Sequence, residues 1–203
     1  MSIHDNILNI QKQIGKTKLV VVTKHATVEQ ITDAINTGIY AIGENRVQDA
    51  LLKFSKLPPV KKHFIGHLQR NKVEAVVENF DVIESLDSIE LAKEINKRTT
   101  KKISVMIQVN IGYEEQKFGI KPEDVKTFYE ELKTFTNLDV IGLMCIAPHV
   151  QPEETRIYFR KMKKFQVELA LPELSMGMSN DFLVAIEEGS TIVRVGTAIF
   201  SSE

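Results

Sequence analysis

One feature constrains this chain more than any other: short β-branched runs alternate with helix-like stretches from end to end, eight times within 203 residues. Ile3, Ile7, Ile10 and Ile14, spaced by three or four, predict a first helix. Strand 1 follows at 17–23, and strand 2 is Tyr40-Ala41-Ile42-Gly43. Strand 3 is His63-Phe64-Ile65, strand 4 is Val82-Ile83-Glu84, strand 5 spans 103–109 and strand 6 spans 138–144. Strand 7 is Glu173-Leu174-Ser175 and strand 8 spans 191–195. Runs apolar at nearly every position, as in strands 1, 5, 6 and 8, indicate burial on both faces and therefore parallel pairing.

The helices between them carry their own signals. Thr27 with Gln30 forms a capping box, and Gly38 closes that helix. Asn45 is placed as the cap of the next, Asp87 with Glu90 starts another, and Pro122 and Pro152 sit where a first helical turn accepts proline. Eight βα units predict a single α/β domain over 1–203, a (β/α)8 TIM barrel with an extra N-terminal helix. An open doubly wound sheet is the competing architecture. It is disfavoured because no Gly-x-Gly-x-x-Gly follows strand 1 and no Walker loop is present.

Composition narrows the function classes. A net charge of −1 argues against nucleic acid or an anionic membrane as the main partner. One cysteine, Cys145, cannot form an internal disulfide and reads as a buried, inert thiol. The first residues carry neither a basic segment nor a long apolar run, so a cytoplasmic location is expected. The five histidines have no zinc-like spacing and the carboxylates no magnesium-like cluster, so no metal is expected.

In such barrels chemistry gathers at the C-terminal ends of the strands. Those ends read Lys24, Asn45, His67, Ser85, Asn110, Met144, Met176 to Ser179, and Arg194-Val195-Gly196-Thr197. If strands 1 and 8 are neighbours, the Lys24 amine faces Arg194 and a Gly196-Thr197 turn. An amine can form a Schiff base once its free-base form is populated. The N–H groups of Gly196 and Thr197, the Thr197 hydroxyl and Ser179, read as the start of the helix after strand 7, can hold an anion. Gly196 is read as the residue that lets the backbone come close to that anion. An arginine cannot give up its proton, so Arg194 can only donate to a ring nitrogen. The alternative for Arg194 is an ion pair with Glu44 or Glu84, and His67 is either a ring-stacking or a structural residue. Amine, cation and anion nest together are what pyridoxal 5′-phosphate requires.

These residues lie in stretches that resemble the pyridoxal phosphate homeostasis proteins, themselves similar to the barrel domain of alanine racemase. The matching segments are Val22-Thr23-Lys24, Gly43 to Gln48, His63 to Gln69, Gln108-Val109-Asn110, Lys117 to Ile120, Gly142-Leu143-Met144, Leu174 to Ser179 and Val193 to Phe200. The resemblance implies that Lys24 carries the cofactor as a Schiff base, Arg194 faces the pyridine nitrogen, and Ser179, Gly196 and Thr197 hold the phosphate. Asn45 and Met176 become pocket contacts. The chain departs from the family in having Arg46 where many members have Tyr, in His25-Ala26 after the lysine, and in the tail Ser201-Ser202-Glu203. Racemisation needs a second base that the family's racemases take from an added β domain, and no such domain is expected here after strand 8. The implied protein therefore binds pyridoxal phosphate for homeostasis without substantial turnover, with no catalytic residues. A single-domain amino-acid racemase or decarboxylase is the alternative. The cofactor itself and pyridoxal phosphate-dependent apoenzymes are the expected partners, and the expected state is a monomer.

Overall fold

The computed structural model describes residues 2–201; Ser202 and Glu203 of the tail lie outside the described residues. The strands are β1 (Lys18–Val22), β2 (Ala41–Glu44), β3 (Lys61–Phe64), β4 (Val82–Leu86), β5 (Ile103–Val109), β6 (Leu138–Cys145), β7 (Glu173–Ser175) and β8 (Ile192–Val195). Each pairs in parallel with the next, and β8 returns to β1 to close the barrel. The register across that seam sets Lys18 against Ile192 and Val20 against Arg194.

The helices are α1 (Ile3–Ile14), α2 (Val28–Asn36), α3 (Val47–Phe54), α4 (Val73–Asn79), α5 (Ile89–Arg98), α6 (Val125–Leu132), α7 (Arg156–Glu168), α8 (Phe182–Glu187) and α9 (Thr197–Phe200). Helix α1 starts in a capping box between Ser2 and Asp5 and buries Ile7, Ile10 and Ile14. Those three join Leu19, Val21, Val193 and Val195 in one apolar cluster on the outside of the β1–β8 seam. Burying each such side chain stabilises the fold by roughly 1.5–3 kcal/mol, so α1 seals the seam. A smaller cluster of Val20, Ala41, Val82, Met106, Met144 and Ile192 packs together as well. Residues of every second position on their strands, these fill the inside of the ring.

Several local expectations are corrected. Helix α3 is capped by Arg46 without a side-chain bond, so Asn45 is freed from that task. Ser88, not Asp87, caps α5, its hydroxyl accepting from the Leu91 N–H at 3.3 Å. Pro122 and Pro152 open 3-10 turns, and the α-helices begin only at Val125 and Arg156. Proline still sits at the first turn, but that turn is wound tighter. Helix α8 begins at Phe182 with Asp181 as its cap, so Ser179 precedes the helix rather than starting it. Ser85 and Met144 lie within β4 and β6, fully buried, and not on the rim.

Candidate functional site

Lys24 stands two residues beyond β1, on an exposed turn, with no hydrogen bond or ion pair among the described residues. What lies beneath it is tightly held. The Thr23 hydroxyl donates to Glu44 Oε1 at 2.7 Å, and Lys53 Nζ reaches both that oxygen and the Thr23 carbonyl at 2.9 Å. The strand end is therefore fixed while the amine is free. On the β2 side, Asn45 lies as far beyond Gly43 as Lys24 lies beyond its register partner Val22. Gly66 is needed there, because a Cβ would stand 2.2 Å from the Asn45 carbonyl oxygen.

On the β8 side, Gly196 caps α9 and Thr197 is its first residue, so neither N–H has an intrahelical acceptor. The Ala198 N–H faces Ser179 Oγ at 3.5 Å, which brings the β7 and β8 ends together. Gly196 also has a packing reason to be glycine: a Cβ there would lie 2.9 Å from the Val22 carbonyl oxygen and 3.0 Å from Val22 Cβ on the neighbouring strand.

Met176 is fully buried, its N–H bonded to the Ile192 carbonyl at 3.1 Å. The next residue, Gly177, has φ +92° and packs so that a Cβ would meet Ala185 Cβ at 2.6 Å. Its carbonyl accepts from the Arg194 N–H at 3.0 Å. The Met176 to Ser179 turn is thus locked to β8. The Asp181 carboxylate also accepts from the Met178 N–H at 2.7 Å, and burial pushes that carboxyl above its ordinary value.

Arg194 is 3% exposed. Its Nη1 donates to Ser175 Oγ at 2.7 Å and its Nη2 to the Cys145 carbonyl at 2.8 Å. Glu84 Oε2 lies 3.8 Å from Nη1, so the ion-pair alternative is present in the fold. Nε has no partner among the described residues, and this N–H remains available as a donor. The Cys145 thiol is buried and pushed up to about 12, which leaves it inert as a nucleophile.

Across the mouth a cleft of about 260 Å³ is lined by Asn45, Gly66, His67, Gln108, Asn110 and Phe118 among others. His67 lines this cleft and is held from two sides. It stacks on Phe118 with ring centroids 3.6 Å apart, and its Nδ1 lies 3.3 Å from Asp87. Asn110 staples the loop that carries Phe118, bonding the Glu114 and Lys117 carbonyls at 2.8 and 3.1 Å. Among the described residues no cluster of ligand-type side chains fits a metal, and no helix is long and apolar enough to cross a membrane.

A rim lysine after the first strand, beside an anion-compatible turn after the last, defines a class of (β/α)8 barrels, and comparison with known proteins identifies it. The family model described as "Alanine racemase, N-terminal domain" matches residues 1–203, and the chain belongs to that family. Within it stand curated relatives named pyridoxal phosphate homeostasis protein. That of Aquifex aeolicus is 46% identical over 90% of this chain and 86% of its own length. That of Pasteurella multocida is 36% identical over 100% and 98%. Among solved structures, PipY of Synechococcus elongatus with PLP bound superposes with a TM-score of 0.89. It is 32% identical, covering 98% of this chain and 100% of PipY. Alanine racemase of Clostridium difficile 630 shares the fold alone, with a TM-score of 0.80 at 17% identity over 57% of its length.

Sequence reasoning weighed Glu84 and Glu44 only as ion-pair partners of Arg194; it missed His63 and Ser175, which bond Glu84, and Lys53, which with Thr23 and not Arg194 is what Glu44 meets. A signal existed for the first. Glu84 interrupts Val82-Ile83-Glu84-Ser85-Leu86, a strand buried at every position, and a carboxylate placed there must have partners.

Proposed function

We propose that this chain is one domain, spanning 1–203, that binds pyridoxal 5′-phosphate for cofactor homeostasis in the cytoplasm, without substantial turnover. The observation that carries the reading is the convergence on one rim of the unpartnered Lys24 amine and the Ser179, Gly196 and Thr197 donors, with Arg194 held below. These groups fit the cofactor's three handles. Lys24 supplies the amine that condenses with the aldehyde. Ser179 and the Gly196-Thr197 turn bind the phosphate. Arg194 donates to the pyridine nitrogen and Asn45 borders the ring, whereas Met176, expected as a pocket contact, is fully buried and supports the β7 end from behind.

When bound, pyridoxal phosphate supplies an electron sink, and its strength depends on the partner of its ring nitrogen. A guanidinium keeps its own proton. The ring nitrogen therefore stays an acceptor, and the sink is weaker than with an acidic partner. This supports holding over catalysis, as do the names of the relatives. Monomeric holding and release to apoenzymes that require the cofactor complete the reading.

Purified protein should absorb in the visible when loaded, and borohydride reduction followed by peptide mapping should fix the label on Lys24. A protein that stays colourless with excess cofactor defeats the reading. Steady-state turnover of amino acids on the order of 1 s⁻¹, abolished by Lys24→Ala, would make it a racemase or decarboxylase instead.

A further inference from the structure

Glu84 is fully buried on β4, and both of its oxygens are committed. Oε1 faces His63 Nδ1 at 2.5 Å and Oε2 accepts from Ser175 Oγ at 2.6 Å. A serine has one proton. Because the Ser175 proton is directed to Glu84, its lone pairs are what remain for Arg194, and Nη1 donates to them at 2.7 Å. The second anchor, Nη2 on the Cys145 carbonyl, fixes the plane of a rigid guanidinium. Position and direction of Nε–H follow from those two anchors.

The carboxylate does a second thing. A guanidinium 3% exposed needs a counter-charge, since an unpaired buried ion is strongly unfavourable. Glu84 provides it from 3.8 Å. His63, 1% exposed on β3, makes its one side-chain hydrogen bond to Glu84: its ring sits edge-on to Tyr40, and its Nε2 has no hydrogen-bond partner among the described residues. Such a histidine contributes by turning the carboxylate toward Ser175. The chain His63–Glu84–Ser175–Arg194 thus runs through the inside of the barrel from β3 to β8 and ends on the group that meets the ring.

We propose that Glu84 and His63 are positioning residues for the cofactor: through Ser175 they orient and charge-balance Arg194 for donation to the pyridine nitrogen. The proposal rests on the reading that Lys24 holds pyridoxal phosphate. It assigns the ring's electronic environment to a pair of residues that do not touch it.

The test compares full-length wild type, Glu84→Gln, Ser175→Ala and Arg194→Gln, alone and with Glu84→Gln added to Arg194→Gln. Three readouts are taken: the dissociation constant for pyridoxal phosphate, the visible band of the loaded protein across pH, and the melting temperature without cofactor. In Glu84→Gln and Ser175→Ala, borohydride should still label Lys24, while cofactor binding weakens about tenfold and the visible band or its pH midpoint moves. In the Arg194→Gln background, adding Glu84→Gln should change binding and spectrum no further. Inorganic phosphate, used as a competitor for the rim anchor, should bind all folded variants alike. A folded Glu84→Gln protein with wild-type affinity and spectrum overturns the proposal, as does an effect of equal size in the Arg194→Gln background. Should Glu84→Gln not fold, Ser175→Ala decides by the same criteria. A wild-type protein that neither colours nor labels Lys24 overturns the proposal together with the reading beneath it, and that outcome is separate from the others.

Discussion

The rim of the barrel and the layer just beneath it are built on opposite terms. On the rim, Lys24 and Asn45 are exposed and Lys24 is unpartnered, while Thr197 opens a helix with its N–H unused. One layer down, Arg194, Glu84, His63 and Ser175 are buried and bonded to one another. The carboxyls make the contrast measurable. Asp87, half-buried near the rim, and Asp181, buried at the foot of α8, are pushed up by burial. Glu84 is buried more completely, and burial pushes it up too, yet the His63 hydrogen bond and the charge of Arg194 outweigh that and hold it below its ordinary value of 4.5. Partners, not depth, decide the sign. The rim amine is left free, and the guanidinium beneath it is tied down.

The comparison is best broken first at the amine. Lys24→Ala should abolish borohydride labelling altogether, while the melting free energy changes by no more than about 0.5 kcal/mol, as for an exposed residue without partners. Glu84→Ala should do the reverse and destabilise the protein by about 3–5 kcal/mol, because Arg194 and His63 lose their buried counterpart; chemical denaturation measures it. Gly196→Val tests where the two regions meet. Its side chain would strike Val22, so a loss of about 1–3 kcal/mol in stability should accompany any loss of cofactor, and retention alone should not suffer. Ser179→Ala removes one anchor hydroxyl and should weaken phosphate-dependent binding by about 1 kcal/mol, with little change in melting. The smallest effect is that of acid. Because the folded Glu84 lies below 4.5, its contribution is complete at neutral pH and is lost as pH falls through and below 4.5. In Glu84→Gln that part of the acid limb should be missing from a pH series of melting curves.

The repeating frame was legible because its signals are local. Ile3, Ile7, Ile10 and Ile14 fix one helix, and the β-branched runs of 17–23 and 191–195 fix the two strands that close the ring. Caps were less legible: α5 is capped by the Ser88 hydroxyl and not by neighbouring Asp87, and α3 starts at Arg46 with no side-chain cap although Asn45 stands beside it. Candidate rim residues could be named because a strand end can be read from one stretch of chain, though Ser85 and Met144 lie inside their strands and not at the ends. The Glu84 network was not legible, since its bonds join β3, β4, β7 and β8, and only an ion pair of Arg194 with Glu44 or Glu84 was weighed; Glu44 pairs with Lys53 instead. A carboxylate in a strand with no exposed face was the available clue.

The seam between β1 and β8 also imposes an order in time. Lys24 and Arg194 belong to the two strands most distant along the chain that pair at all, Lys18 against Ile192. Closing so long a loop is among the slowest entropic steps a chain of this topology faces. Amine and guanidinium therefore become neighbours only when the ring shuts, and capture of the cofactor should trail every other event of folding. The onset of colour in a refolding experiment would then serve as a clock for closure, and a permuted chain whose termini open elsewhere, leaving β8 and β1 joined, should turn yellow sooner.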